Sequence, residues 1–331
     1  MPPVTEAKQL SPAAAFVLTR RLPCGLLLAL MIGAFAVFAG ASNLPALAML
    51  LGLAGIAMNM LAPALVALVT FGGGLNYALQ VSALASLLIF TAAGFALATG
   101  ILTFVVYGCV VAIAAHLFMG NDGTARSGQW LAAGLGLSVM LALIINAFAE
   151  GLDLRAYTEH LLHPFFENMQ AADGDPEIQA ALSRSRSMMA QVLPGLLAWA
   201  MWIVWWGDIV LAKSIALRYG FYEGQNNDVL DLHFGKPWAY LFLVALIGAN
   251  LGHGDLQFSA TNLALFIGGM MAVQGVMVVH SWFRARKMQF LIGLMYVMLF
   301  FWTAMIVPFV IVGLMDIWFD FRRNIDSAHG G

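Results

Sequence analysis

Apolar residues in this chain come in long unbroken blocks, not at alternating or 3.6-residue intervals. The longest block runs from Leu22 to Asn121, 100 residues without an Asp, Glu, Lys or Arg. A helix needs about 20 predominantly apolar residues to cross a bilayer, so this block predicts several passes. Runs that are apolar on every side and rich in Ala, Leu, Gly and Met predict helices in lipid, not the alternating strands of a barrel. Polar and glycine breaks then place the elements. Span 1 covers about Cys24–Ala41, and Asn43 and Pro45 mark a turn. Span 2, about Leu44–Phe71, is expected to break near Asn59–Pro63, and Gly72, Gly73 and Gly74 make the next turn. Spans 3, 4 and 5 follow at about Leu75–Phe95, Leu97–Met119 and Trp130–Ala149. After a polar stretch come Gln191–Ala212, Pro237–Leu251, Ala260–Trp282 and a final apolar run at Met288–Met315.

The chain thus divides into a leader (1–22), an N-terminal membrane half (23–149, five spans with the second broken), a polar segment (150–190), a C-terminal membrane half (191–320) and a tail (321–331). The segment 150–190 carries seven acids and three arginines. Within it Leu154, Leu161, Leu162, Phe165, Phe166 and Met169, and then Ile178, Leu182, Met188, Met189 and Val192, recur at helix-like spacing. These predict two amphipathic helices at the lipid–water interface, parted by Gly174 and Pro176. The fold class expected is all-α: a polytopic transmembrane bundle of nine or ten helices. The tenth depends on whether the last apolar run makes one pass or folds near Thr303–Pro308.

Orientation follows from where Lys and Arg fall. With Arg20 and Arg21 in the cytoplasm and four passes in the charge-free block, Arg126 returns to the cytoplasm and 150–190 lies outside. Lys213, Arg218, Lys236 and the run Arg284, Arg286, Lys287 then all lie inside. This parity predicts a membrane protein with a cytoplasmic N-terminus. The leader is read as retained, because the apolar run after Arg21 continues past signal length.

Composition sharpens this picture. Hydrophobic residues make up 62% of the chain and charged ones only 10%, against about 25% charged in soluble domains. The bilayer is therefore the expected partner. A net charge of −2 excludes a basic field for nucleic acid. Cys24 and Cys109 give neither a disulfide framework nor metal spacing. No nucleotide-binding loop, zinc-protease helix or nucleophile elbow is present, so the chain is not expected to be an enzyme and no cofactor is assigned.

Polar side chains inside apolar runs ask for a reason. Asp208, after Trp205 and Trp206, reads either as a proton or cation ligand facing a cavity, or as an interfacial acid paired with Lys213 or Arg218. Trp199, Trp202, Trp205 and Trp206 suggest the interfacial belt. His253 and Asp255, with Asn250, Gln257 and Asn262 nearby, form the densest polar cluster near membrane depth; they suggest recognition of a polar solute, or else ordinary turn residues. Asn262, Gln274 and His280 share one span. There they line a cavity or hydrogen-bond neighbouring helices, and Asn59, Asn76, Gln80, His116 and Asn146 pose the same choice. The candidate binding set is His253, Asp255, Asn262, Gln274 and Asp208. His160, His163 and Glu167 could approach a metal, but no second ligand cluster accompanies them. Asp316 and Asp320, followed by Arg322 and Arg323, read as an acid–base cluster fixing the last helix. Ala29 with Gly33 and Ala36 with Gly40 are small-xxx-small pairs through which span 1 could meet another membrane subunit.

Several stretches resemble a known family. Asn262-Leu-Ala-Leu, Ala272-Val-Gln274-Gly275-Val-Met-Val-Val-His280 and Gly313-Leu-Met-Asp316-Ile-Trp-Phe-Asp320-Phe-Arg322-Arg323 resemble the YybS-like family of uncharacterised bacterial membrane proteins. Ala62-Pro63-Ala64 ahead of Gly72–Gly74, and a Pro194-containing span after an amphipathic segment, fit it too, although that family more often has a second proline where Ala64 stands. The N-terminal half is similar to the S components of energy-coupling-factor transporters. In S components, paired alanines on the first helix meet a shared membrane subunit; here each pair is Ala with Gly. The resemblance implies a small-solute-binding transport component of the bacterial plasma (inner) membrane, by analogy of fold. The alternative is a non-transporting accessory or assembly factor whose polar outer segment engages a partner.

Overall fold

The structure, a computed structural model, describes residues 9–39, 45–172, 176–225 and 227–322. Its helices are α1 (Pro12–Thr19), α2 (Arg21–Ala39), α3 (Pro45–Met60), α4 (Ala62–Ala92), α5 (Leu97–Thr103) and α6 (Val111–Phe118), the last two joined by a π-helical stretch, Phe104–Val110. There follow α7 (Gly123–Glu150), α8 (Leu154–Ala172), α9 (Pro176–Arg218), α10 (Lys236–Leu251), α11 (Gly254–Ala285), α12 (Gln289–Phe301) and α13 (Ile306–Phe319). No strand occurs among the described residues. Six stretches are long and apolar enough to cross a membrane: Arg21–Phe38, Leu47–Ala92, Leu97–Phe118, Gly123–Glu150, Glu177–Arg218 and Gly254–Ala285. Large apolar side chains such as Leu50, Phe148, Val244 and Phe290 point outward. Water would oppose that arrangement and hydrocarbon does not, so the chain is a membrane-embedded helical protein.

The expected count of nine or ten helices is not what is observed. The described residues hold more, because passes are assembled from broken pieces. The chain also divides into two compact units, residues 1–135 with 202–229 and residues 136–201 with 230–331. That division cuts through α7 and α9.

In the first unit, contacts set the direction of each helix. Asn59 Nδ2 donates to the Ile32 carbonyl (2.8 Å) and Gly55 lies against the Phe35 backbone, so α3 runs antiparallel to α2. The Tyr77 hydroxyl donates to the Leu18 carbonyl (2.8 Å) and Gly25 abuts Leu84, so the second half of α4 runs with α2. Between them the chain reverses at Gly74, whose φ of 79° and ψ of 170° suit a residue without a Cβ. The stretch Leu47–Ala92 therefore turns back on itself within the glycine triplet. Leu61, between α3 and α4, keeps right-handed angles (φ −85°, ψ −4°), and Pro63 sits in the first turn of α4, where its missing N–H is tolerated. The α5–α6 rod then returns along α4, with Gly108 against Ser82 and the Phe71 and Phe118 rings 6.4 Å apart. At that end Asn227 Nδ2 donates to the Phe118 carbonyl (2.9 Å) and Thr124 Oγ1 to the Asp228 carbonyl (2.9 Å). Arg20, Arg21, Arg126 and Arg218, all exposed, lie at or next to this same end.

In the second unit, Phe242 meets Gly268 and Gly248 meets Ala260, so α10 and α11 form an antiparallel hairpin. His280 pairs with the Tyr296 hydroxyl (3.0 Å), Gly275 meets Phe309 and Met271 meets Gly313. Both α12 and α13 thus run against α11 in the same sense, as pieces of one broken stretch and not as a hairpin. Of the two expected amphipathic segments, the first is α8. It buries Leu154, Tyr157, Leu162 and Phe166 and presents Arg155, His160, His163 and Glu167 outward. The second is not separate, because Pro176–Arg218 is one helix. Phe165 and Met169 lie outside the described side chains.

Candidate functional site

The site residues expected from sequence occupy several distinct places. Asn262, on α11, is buried and uses its whole amide. Its Nδ2 donates to the carbonyls of Gln191 (3.1 Å) and Phe258 (2.9 Å), and its Oδ1 accepts the Gly195 N–H (2.8 Å). Gln191 and Gly195 are the i and i+4 pair that would bond to each other in an uninterrupted helix. Pro194 sits between them, and the Asn262 amide is inserted into the ladder, a recognised cause of helix bending. Gly195 permits this, since a Cβ there would lie 2.4 Å from the Asn262 carbonyl oxygen. The adjoining void is about 40 Å³, lined by Val139, Met140, Pro194, Phe258 and Phe266. Solute sites measure about 300–1,000 Å³, so this void is too small for one.

Asp255 and His253 are both exposed. Asp255 Oδ1 accepts the Leu154 N–H (3.1 Å), while Asp153 Oδ1 accepts that of Ala156 (2.6 Å). Two carboxylates thus meet the N-terminus of α8, where free amides and the helix dipole favour negative charge. His253 precedes α11 without a capping side-chain bond.

Beside this junction lies an open groove of about 450 Å³, lined by Arg155, Ser187, Met188, Gln191, Val192, Gln257 and Thr261. Arg155 Nη2 donates to Ser187 Oγ (2.6 Å) and Nε to Glu159 Oε1 (3.2 Å); Ser187 Oγ donates to the same oxygen (3.3 Å). Gln257 Nε2 reaches the Ala249 carbonyl (3.3 Å) and Thr261 Oγ1 the Gln257 carbonyl (2.8 Å). The groove therefore offers a held guanidinium, several amides and hydroxyls, and an apolar flank from Met188 and Val192. Gln257 belonged to the polar cluster noticed in the sequence. Arg155, Ser187 and Gln191 did not stand out there, although Arg155 and Glu159 do have the i,i+4 spacing of a helical ion pair.

Gln274 is fully buried elsewhere on α11. Its Oε1 accepts the Phe234 N–H (2.9 Å) and its Nε2 donates to Asp316 Oδ2 (2.8 Å). Arg322 reaches the same oxygen (3.1 Å) and also donates to the carbonyls of Leu232 (2.7 Å) and Leu230. This network ties the end of α13 to α11 and to the segment before α10. Asp320 closes α13 in the left-handed region (φ 44°, ψ 59°), and Arg323 lies outside the described residues.

Asp208 belongs to the first unit. It is 5% exposed, and its Oδ2 has no hydrogen-bond partner among the described residues. The expected pairing with Lys213 does not form. The Lys213 ammonium donates to the Asn227 carbonyl (2.5 Å) and lies over the Phe118 and Tyr222 rings. Trp202, Trp205 and Trp206 are buried within the protein; the Trp202 indole donates to the Gly128 carbonyl (2.9 Å). Trp205 stacks obliquely on Tyr107 at 4.9 Å, and the Tyr107 hydroxyl donates to Asn59 Oδ1 (3.3 Å).

Other expected groupings come apart. His160 pairs with Glu150 (3.0 Å) and His163 with Glu167 (3.7 Å), all exposed, and among the described residues no set of three or more His, Cys, Asp or Glu could hold a metal ion. On α2, Ala29 and Gly33 are half-buried and Ala36 is exposed, while a Cβ on Gly33 would meet nothing. Gly40 lies outside the described residues. The close approaches of α2 use Gly25 against Leu84 and Phe35 against Gly55 instead.

No curated protein and no solved structure matches the chain. The family described as "Predicted membrane protein (DUF2232)" matches residues 41–317. That range takes in the helices of both units from α3 to most of α13, and the chain belongs to the DUF2232 family of membrane proteins.

Proposed function

We propose that this protein is a transport component of the bacterial plasma membrane that binds a small polar solute in the groove between α8, α9 and α11. The observation that carries the reading is the groove itself: about 450 Å³, within the usual range for small-molecule sites, with Arg155, Ser187, Gln191, Gln257 and Thr261 facing Met188 and Val192. Arg155 is already paired with Glu159, which favours a solute rich in hydrogen-bonding groups over one that must be strongly anionic. The reading assigns binding to the site and no reaction. The clustering of Arg20, Arg21, Arg126 and Arg218 at one end of the first unit supports a cytoplasmic N-terminus, and the charge parity along the sequence then puts the 150–190 segment, with the Arg155 and Ser187 of the groove, outside. The resemblance to YybS-like proteins and to S components agrees with uptake. The α8 helix buries its apolar face against Ala147, Phe258 and Ala190, and an accessory role would instead use its exposed polar face.

The test is extraction of the purified full chain and mass spectrometry of what it releases. A solute enriched over an unrelated membrane protein, and lost in a folded Arg155→Ala/Gln257→Ala variant, supports the reading. No enriched solute, with a protein partner copurifying instead, overturns it in favour of an accessory factor.

A further inference from the structure

The first unit holds a second, independent site, and it owes nothing to the groove. Asp208 lies ten residues before Arg218, the last residue of α9. At 1.5 Å per residue that is about 15 Å along the axis, about half the thickness of a bilayer core. Tyr107 faces Trp205 and Phe118 faces Lys213, so α9 and the α5–α6 rod run side by side in the same direction. Asp208 then falls opposite Val110 and Val111, both buried. One turn away, Gly108 touches Ser82. The buried Ser82 Oγ, Ser86 Oγ, Trp206 Nε1 and Asp208 Oδ2 have no partner among the described residues. The wall of this site is the π-helical stretch Phe104–Val110, an irregularity found often at functional sites.

An ionised carboxylate so placed carries an uncompensated charge at a cost of several kcal/mol or more. Among the described residues no cation pairs with it; Arg126, on the α7 helix that meets α9 where Trp202 donates to Gly128, is exposed. Lys213, on the same helix, is engaged by the Asn227 carbonyl and two rings. On the facing elements the titratable groups are Tyr107, bonded to Asn59, Cys109 and the exposed His116; on α4 there is Tyr77, bonded to Leu18. None of these is a positive partner. A metal cation would need several ligands, and among the described residues no group of three or more His, Cys, Asp or Glu could hold one. A proton needs only the one oxygen.

We propose that Asp208 is a proton-binding site within the membrane, taking one proton from water onto its carboxylate and releasing it again. The neutral acid is compatible with the apolar wall.

The test is infrared difference spectroscopy of the full chain in lipid as bulk pH is cycled. The wild type should show the carbonyl stretch of a protonated carboxylic acid, shifted in heavy water and fading as pH rises. Asp208→Asn, which mimics the neutral acid in shape and so keeps the fold, should lose it. Asp316→Asn, which removes the other buried carboxylate, should keep it. A wild type without the band, a band that persists in Asp208→Asn, or one that ignores pH overturns the proposal. Loss of solute binding in the groove would leave the outcome unchanged.

Discussion

Gly313→Ala should be among the most damaging single-methyl additions in the second unit. A Cβ at Gly313 would stand 1.9 Å from the Met271 carbonyl oxygen and 2.9 Å from the Gly275 nitrogen. These are backbone atoms of α11, so no rotamer change can relieve the clash. Ordinary contact begins near 3.4 Å, so α11 and α13 must part by about 1.5 Å (3.4 − 1.9) if they separate along the contact. Overpacking of this kind costs about 1–3 kcal/mol. The same separation lengthens the Gln274–Asp316 bond, now 2.8 Å, beyond hydrogen-bonding range. Bonds between membrane helices are worth about 0.6 kcal/mol on average and about 1.7 at most. Replacing Gly by Ala in a helix returns about 0.5–1 kcal/mol. The net expectation is a loss of about 2–3 kcal/mol. Reversible unfolding in mixed micelles, followed by tryptophan fluorescence, measures it. Gly293→Ala on α12 is the control, since a Cβ there meets nothing within 4 Å, and it should be neutral or slightly stabilising. If Gly313→Ala unfolds within about 0.5 kcal/mol of Gly293→Ala, α11 and α13 do not cross at these glycines and the reasoning fails.

Three further outcomes are expected. Asn262→Leu should cost about 1–2 kcal/mol, near the upper end for interhelical hydrogen bonds in membranes, and should speed amide exchange at Gly195; unchanged exchange there would mean the amide is not inserted at the Pro194 bend. Arg322→Met should cost about 3 kcal/mol, the low end for breaking a buried ion pair because Arg322 keeps some contact with solvent. Adding Asp316→Asn should recover part of that loss, and a double variant no better than the single would argue against the pairing. Single cysteines at Ser183 and Arg286, in a background without Cys24 and Cys109, should label from outside and from the cytoplasm respectively; external labelling at Arg286 with protection at Ser183 would reverse the charge-based orientation, and labelling of both from one side would refute the parity.

The membrane character and helical class were legible in the sequence alone. A 100-residue block without a charged side chain leaves no other way to satisfy its backbone, whatever the helices touch. The glycine triplet at 72–74 likewise announced a change of direction locally, because positive φ is a property of the residue itself. Identities and intervals could not say which partner each buried polar group would find. Asn262 looked like a solute ligand or interhelical glue. Only the approach of α11 to Pro194 made it the amide that completes a bent helix. Asp316 and Arg322 stand six residues apart, yet Gln274, 42 residues upstream, and the carbonyls of Leu230 and Leu232 decide that the pair is held. Asp208 shows the reverse: Lys213 is near in sequence, but packing turns its charge toward Asn227 and two rings and leaves the carboxylate alone. Burial in lipid is additive along the chain and can be summed from composition, whereas a hydrogen bond depends on two distant groups arriving within about 3 Å, which tertiary packing alone determines.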